Sequence, residues 1–205
     1  MPGEESTIHQ LLCEFFEVII HNILYRRHVY PKSIFIKTKS YGIPAFQSIH
    51  PQLNEYILET LKVVLFHLKN KTLKTLIITI ATGKVFLERY VINLLEIKEY
   101  ATNDLYQSLE GVFKKFCLKI ETAIESLNNV PKDPGFLIHL EVTNHGMIVF
   151  NESPEYSHFP WYSDNLNDES SEIIPIYNFE SENIKLDMVV EKNVLDLNHH
   201  ESFIS

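Results

Sequence analysis

His9, His21, His28 and His67 recur at helical spacing, Glu14 and Glu17 stand one turn apart, and His199-His200 sit together near the C-terminus. Such groups can move protons as a general acid–base pair, or hold a metal ion where a third ligand joins two histidines. Neither chemistry has its usual framing in this chain. It contains no HExxH, no GxSxG, no CxxC and no glycine-rich phosphate loop, and six glycines in all leave little from which to build one. The four helical histidines read as surface or hydrogen-bonded core residues, and the two glutamates as a solvated helix face. A triad assembled from distant residues leaves no such motif, so a small enzyme stands as a rival reading. The expectation is no catalytic residue, no cofactor and no metal.

Composition narrows the alternatives. An apolar share of 45% with 12% aromatic residues is that of a folded protein, and 205 positions suffice for one domain with a sizeable core, or at most two small ones. No stretch approaches a membrane-spanning run, and the N-terminus lacks the pattern of a secretion signal. Cys13 and Cys117 each fall in an apolar helical pattern. One disulfide between them and a pair of buried thiols in a reducing compartment both fit, and the second is expected. The net charge of −9 is unevenly spread, because residues 151–205 hold twelve acids against Lys185 and Lys192 alone. A broad basic face able to release counterions from phosphates is missing, so direct nucleic-acid binding is not expected.

The elements that would position a binding site are legible. Ile8, Leu11, Leu12, Phe15, Phe16, Ile19 and Ile23 make an apolar stripe from about Ser6 or Thr7, stopped by Pro31. Residues 34–46 read as extended or looped around Gly42-Ile43-Pro44. A second helix follows His50-Pro51 and carries Leu53, Tyr56, Ile57, Leu61, Val64, Leu65 and Leu68 inward. Leu73 to Ile80 and Val85 to Ile92 read as a hairpin turning at Ala81-Thr82-Gly83-Lys84. A third helix spans about Thr102 to Leu127, then Phe136–Val142 makes a strand and Met147–Phe150 could add another. Glu172–Phe179 and Ile184–Val190 are strand-like pieces beyond a polar, acidic connection, which gives the C-terminal third a mobile character. The class is α+β, three helices packed on a mostly antiparallel sheet.

Read together, Ile23-Leu24-Tyr25 with Tyr30-Pro31, His50-Pro51 with Leu53-Asn54 and Tyr56-Ile57, and Phe159-Pro160-Trp161 followed by Ile174-Pro175 resemble the HORMA-domain family. Within it they resemble the branch of non-catalytic accessory subunits of DNA polymerase zeta, from about Leu11 to Glu191. The resemblance implies a HORMA domain over 6–192, with a core of about 6–150, a "safety belt" of about 151–192 that closes over a partner peptide, and a disordered tail at 193–205. Tyr56 and Trp161 match the aromatic positions that grip prolines of that peptide, although Tyr56 by its stripe alone reads as core. Ile173, Asp187 and Val189 match a second partner surface, where Asp187 and Val189 depart from the usual amide and aromatic residue. Lys114 matches a basic dimer contact, beside Lys115 and Lys119 on what also reads as a solvated face.

The implied partners are the catalytic subunit of DNA polymerase zeta, a Y-family translesion polymerase, end-protection factors, an activator of the anaphase-promoting complex, and a second HORMA protein as homo- or heterodimer. The implied setting is translesion DNA synthesis in the nucleus, with some protein in the cytoplasm. Double-strand-break end protection and restraint of the anaphase-promoting complex are further implied roles. A spindle-checkpoint or meiotic-chromosome HORMA protein is the alternative within the family.

Overall fold

Apolar residues three and four apart make α1 (Ile8–Arg26), and packing hides that stripe: Leu12, Phe15, Phe16, Ile20, Ile23 and Leu24 are all 0% exposed. The structure is a computed structural model. Its described residues are 8–83, 85–97, 103–131, 133–156, 171–181 and 184–194, with the side chains of 103–107 left aside. The helix ends at Arg26, before the Pro31 the sequence suggests. His28 adopts a left-handed φ of 55°, Val29 N–H donates to Leu24 O, and His28 N–H donates to Tyr25 O. This Schellman turn satisfies the last carbonyls, so the helix is closed before the proline can act.

The stretch expected to be extended or looped is a hairpin of β1 (Phe35–Ser40) and β2 (Ile43–Ser48). Its turn residues Tyr41 and Gly42 have φ of 52° and 74°, the left-handed pair that a two-residue turn between twisted strands requires. α2 (Pro51–Lys69) starts with Pro51 in its first turn and the His50 ring accepting from Leu53 N–H. It closes with Lys71 at φ 55° and Thr72 N–H donating to His67 O.

β3 (Leu73–Thr82) and β4 (Val85–Ile97) form the expected hairpin, β4 running five residues past Ile92. After α3 (Asn103–Ser126), β5 (Gly135–Val142), β6 (Ser171–Glu180) and β7 (Ile184–Asn193) complete a five-stranded sheet in the order β5-β3-β4-β7-β6, antiparallel throughout. The class is α+β, with α1, α2 and α3 sharing one core with the sheet. Phe15 stacks on Phe113 at 4.2 Å and meets Phe116 at 5.6 Å, which ties α1 to α3.

Two sequence expectations change. Met147–Phe150 is not a strand but part of a fourth helix, α4 (Asn144–Asn151). The Thr143 hydroxyl accepts Gly146 N–H at 3.1 Å, an N-cap that starts a helix where a four-residue apolar run alone leaves the choice open. The C-terminal third, given a mobile character by its sequence, also contributes β7 to the core: Ile184, Leu186, Met188 and Val190 are each 0% exposed, while β6 buries Ile176 alone. The period of two in β7 puts all four on the face that meets the helices. The tail at 195–205 lies outside the described residues, while Asn193 still belongs to β7.

A buried polar hub joins the layers. Arg27 Nε donates to Glu88 Oε2 at 2.9 Å, its Nη2 pairs with Glu88 Oε1, and the Nη2 also reaches Asn128 O at 2.6 Å. Tyr90 Oη donates to the same Glu88 Oε2 at 2.8 Å. The end of α1, the middle of β4 and the chain after α3 thus share one satisfied charge pair, the condition under which a buried ion pair is tolerable. Cys13 and Cys117 are both free thiols, and burial pushes each up to about 12.

Candidate functional site

β5 pairs with β3 on one side and, among the described residues, with no strand on the other. The alternation of antiparallel pairing fixes which groups face out. Thr143 N–H turns inward to Thr72 O, and Ile138 N–H turns outward. Phe136, Ile138, Leu140 and Val142 therefore present their main-chain donors and acceptors to the free side. That row is a template for an added extended segment.

Tyr56 stands at this edge. It projects from α2, is 39% exposed, and its hydroxyl accepts Ile138 N–H at 3.2 Å. Its ring meets Phe136 edge-on at 5.5 Å, and Tyr30 also meets Phe136 edge-on at 6.0 Å. Burial raises both phenols above the usual tyrosine range, so they act as neutral hydrogen-bonding groups. Past the start of β5 lies an open depression of about 410 Å³ lined by His28, Val29, Tyr30, Pro31, Lys32, Asp133 and Pro134.

α4 marks where the chain leaves this edge. Thr143 N–H bonds Thr72 O at 2.9 Å, and Gly146 lies so close to Thr72 that a methyl at its Cα would sit 2.6 Å from the Thr72 Cβ. Phe150 stacks on His67 at 5.2 Å, meets Phe66 at 5.3 Å and stacks on Tyr156 at 4.9 Å. His67 is 0% exposed, with Nδ1 2.8 Å from Thr72 Oγ1, and burial pushes its imidazole down to about 4. The next described element, β6, is at the opposite edge of the sheet.

The remaining candidate residues fall as follows. Trp161, with Phe159 and Pro160, lies outside the described residues, as do His199 and His200. Ile173 is 61% exposed on β6 opposite Glu191, and Val189 faces Pro175 in the β6–β7 register. Asp187 is half-buried and accepts from Asn93 Nδ2 at 3.3 Å. By alternation Asp187, Val189 and Glu191 share one face, with Ile173 beside them. Lys114 is exposed on α3, as are Lys115 and Lys119. Nothing in the fold brings these surfaces to the Tyr56 edge.

The groups first searched for chemistry do not converge. Glu14 is exposed, and Glu17 is half-buried with its carboxyl raised by burial and by the neighbouring Glu14. His21 is buried, accepts Ser48 N–H at 3.3 Å and is pushed down to about 4. Among the described residues no group of three or more His, Cys, Asp or Glu could hold a metal ion, and no helix is long and apolar enough to cross a membrane. Sequence reasoning missed Phe136 as part of an aromatic rim and the Ile138 amide altogether. The Phe136–Val142 strand pattern was visible, but which of its flanks is left unpaired is a property of the sheet.

Comparison with known proteins agrees with this arrangement. The HORMA-domain family profile matches residues 9–132. The chain is 29% identical to the human mitotic spindle assembly checkpoint protein MAD2B over 91% of its own length and 92% of the relative's. It is 27% identical to the Drosophila melanogaster DNA polymerase zeta subunit 2, over 88% of this chain and 95% of that one. Among solved structures, C. elegans HTP-2 bound to the HIM-3 closure motif superposes with a TM-score of 0.66 at 12% identity, covering 90% of this chain and 89% of that chain.

Proposed function

Because the chain belongs to the HORMA-domain family, we propose that it is a non-catalytic adaptor that captures an extended partner segment along the free edge of β5. A single observation carries the reading: the Tyr56 hydroxyl stands on the flank of β5 that, among the described residues, no strand pairs. A segment laid along β5 gains main-chain hydrogen bonds, and the belt of the reading would close over it. A core of about 6–150 and a belt of about 151–192 belong to this reading, with Tyr56 and Trp161 assigned to the partner's prolines and Trp161 lying outside the described residues. Flat aromatic rings suit prolines because the proline backbone is already extended.

The partner we favour is the catalytic subunit of DNA polymerase zeta, in translesion synthesis, which places the protein in the nucleus with a cytoplasmic fraction. The similarity to the Drosophila polymerase zeta subunit over nearly the whole chain supports this. Ile173, Asp187 and Val189 would receive a Y-family polymerase, with Asp187 calling for a basic counterpart. Lys114 would serve a homo- or heterodimer. End-protection factors and an anaphase-promoting-complex activator belong to the same proposal as further partners. A checkpoint or meiotic role is the second reading, favoured by the name of the human relative and by the closure-motif complex that shares the fold.

Calorimetric titration with the proline-containing segment of the same organism's polymerase zeta catalytic subunit tests the first reading. Binding that Trp161→Ala removes is the expected result. A folded protein that ignores this segment but binds a checkpoint or meiotic closure motif would move the assignment to the second.

A further inference from the structure

The β5 edge is not uniformly open. Of its outward donors, the Ile138 N–H is already paired with the Tyr56 hydroxyl at 3.2 Å, a bond across 82 positions of sequence. Nothing about helix or sheet formation requires it. The phenol is held there from two directions, by the rigid α2 backbone and by the edge of the Phe136 ring at 5.5 Å. Its outer face is still accessible, since the residue is 39% exposed.

We propose that the Tyr56 hydroxyl is a permanent cap on the edge strand: it keeps the Ile138 amide paired both before and during capture, and so confines the captured segment's main-chain ladder to Leu140 and Val142. This rests on the clamp reading above. A segment passing Ile138 finds no free donor for its carbonyl, so it bows outward from the strand there. On that half of the edge it lies on the Tyr56, Phe136 and Tyr30 rings and ends at the depression between His28–Lys32 and Asp133–Pro134. Side-chain fit, not main-chain pairing, selects the residues in that half.

The cap is tested with Tyr56→Phe, which keeps the ring and removes only the oxygen. Amide exchange of the free proteins is followed by NMR, and both proteins are titrated with the polymerase zeta segment used above. In the free protein Ile138 should exchange at least about tenfold faster in the variant, with neighbouring β5 amides and the melting temperature unchanged. In the wild-type complex the Ile138 amide resonance should keep its free-state position while those of Leu140 and Val142 move, and in the variant's complex it should move with them, because the freed donor can then pair with the segment. Equal Ile138 exchange in the two free proteins overturns the cap. So does an Ile138 amide resonance that moves together with those of Leu140 and Val142 in the wild-type complex, because the partner's carbonyl would then have taken the donor from the hydroxyl. If wild type binds no segment at all, the clamp reading fails, and the exchange of the free proteins alone decides the cap.

Discussion

The sheet has two edges, and they are finished in opposite ways. β6 carries Pro175, a bulge between Pro175 and Tyr177, and the acids Glu172 and Glu180 near its ends. A proline, a bulge and terminal charges are the devices by which natural sheets discourage a further strand. β5 has no proline, keeps an unbroken register from Gly135 to Glu141, and carries one carboxylate, Glu141. Its protection comes instead from another element, through the Tyr56 hydroxyl on Ile138. An edge blunted by its own sequence offers no regular ladder, whereas an edge capped at one amide by a neighbour's side chain keeps the rest of its ladder, at Leu140 and Val142, open to a partner. The difference marks β5 as the edge kept for a partner.

The comparison can be broken most severely at what both edges share. Glu88→Ala strands the Arg27 guanidinium in a buried site and removes the partner of Tyr90, so the loss of stability should be about 3–5 kcal/mol. Chemical denaturation should show both edges lost in one transition, and a loss under about 1 kcal/mol would mean the hub is not holding the layers together.

Acid should act next, and on the β5 side. His67 is pushed down to about 4 by burial, so between the unfolded value and that value the unfolded chain binds the extra proton. Its share of stability is therefore complete above about pH 6.5, falls as the pH drops through the window to about 4, and amounts to roughly 2–3 kcal/mol. His21 titrates in the same direction beneath the β1–β2 hairpin. His67→Gln should flatten the acid loss read from the α4 amides and leave that of the hairpin in place. Identical profiles in both proteins would remove His67 as the cause.

The two edges separate directly by truncation. Tyr56→Ala should cost about 2 kcal/mol of partner-segment binding, roughly a 30-fold weakening, as for a central aromatic anchor. Ile173→Ala on β6 should change it by less than about twofold, since a solvated side chain away from the contact contributes little. Equal losses at both positions would end the distinction between the edges. The smallest effect concerns the seat of α4. Gly146→Ala gains up to about 1 kcal/mol of helix propensity but drives a methyl to 2.6 Å from the Thr72 Cβ. Overpacking of that kind costs about 1–3 kcal/mol, so the net loss should be about 1 kcal/mol, seen as a lower melting temperature and faster exchange confined to α4.

Periodicity made much of this legible. The stripe of α1, the Pro51 start of α2, the β3–β4 hairpin and the alternation of β7 all follow from local rules, and the structure places them within a few residues of where those rules put them. α4 was hidden because Met147–Phe150 is too short for its period to be told, and the Thr143 cap that starts it directly follows a strand, where a threonine is as much a strand residue as a cap. The end of α1 was placed five residues late because a histidine occupies the left-handed position where glycine is the usual sign. Of the candidate site, Tyr56 was named, but its stripe alone assigned it to the core. Phe136 and the Ile138 amide were not candidates at all.

What the sequence by itself determined is the set of elements, because helices and strands are specified by spacings of two and of three to four residues that any reader of the chain can count. The motifs around Tyr30-Pro31, His50-Pro51 and Tyr56-Ile57 also pointed to the family. What only the tertiary structure decided is the order β5-β3-β4-β7-β6, and with it which strand ends the sheet and which helix side chain reaches its free amide. Strand order is a matter of long-range pairing, reaching from Glu88 on β4 to Lys192 on β7, and no local spacing encodes it.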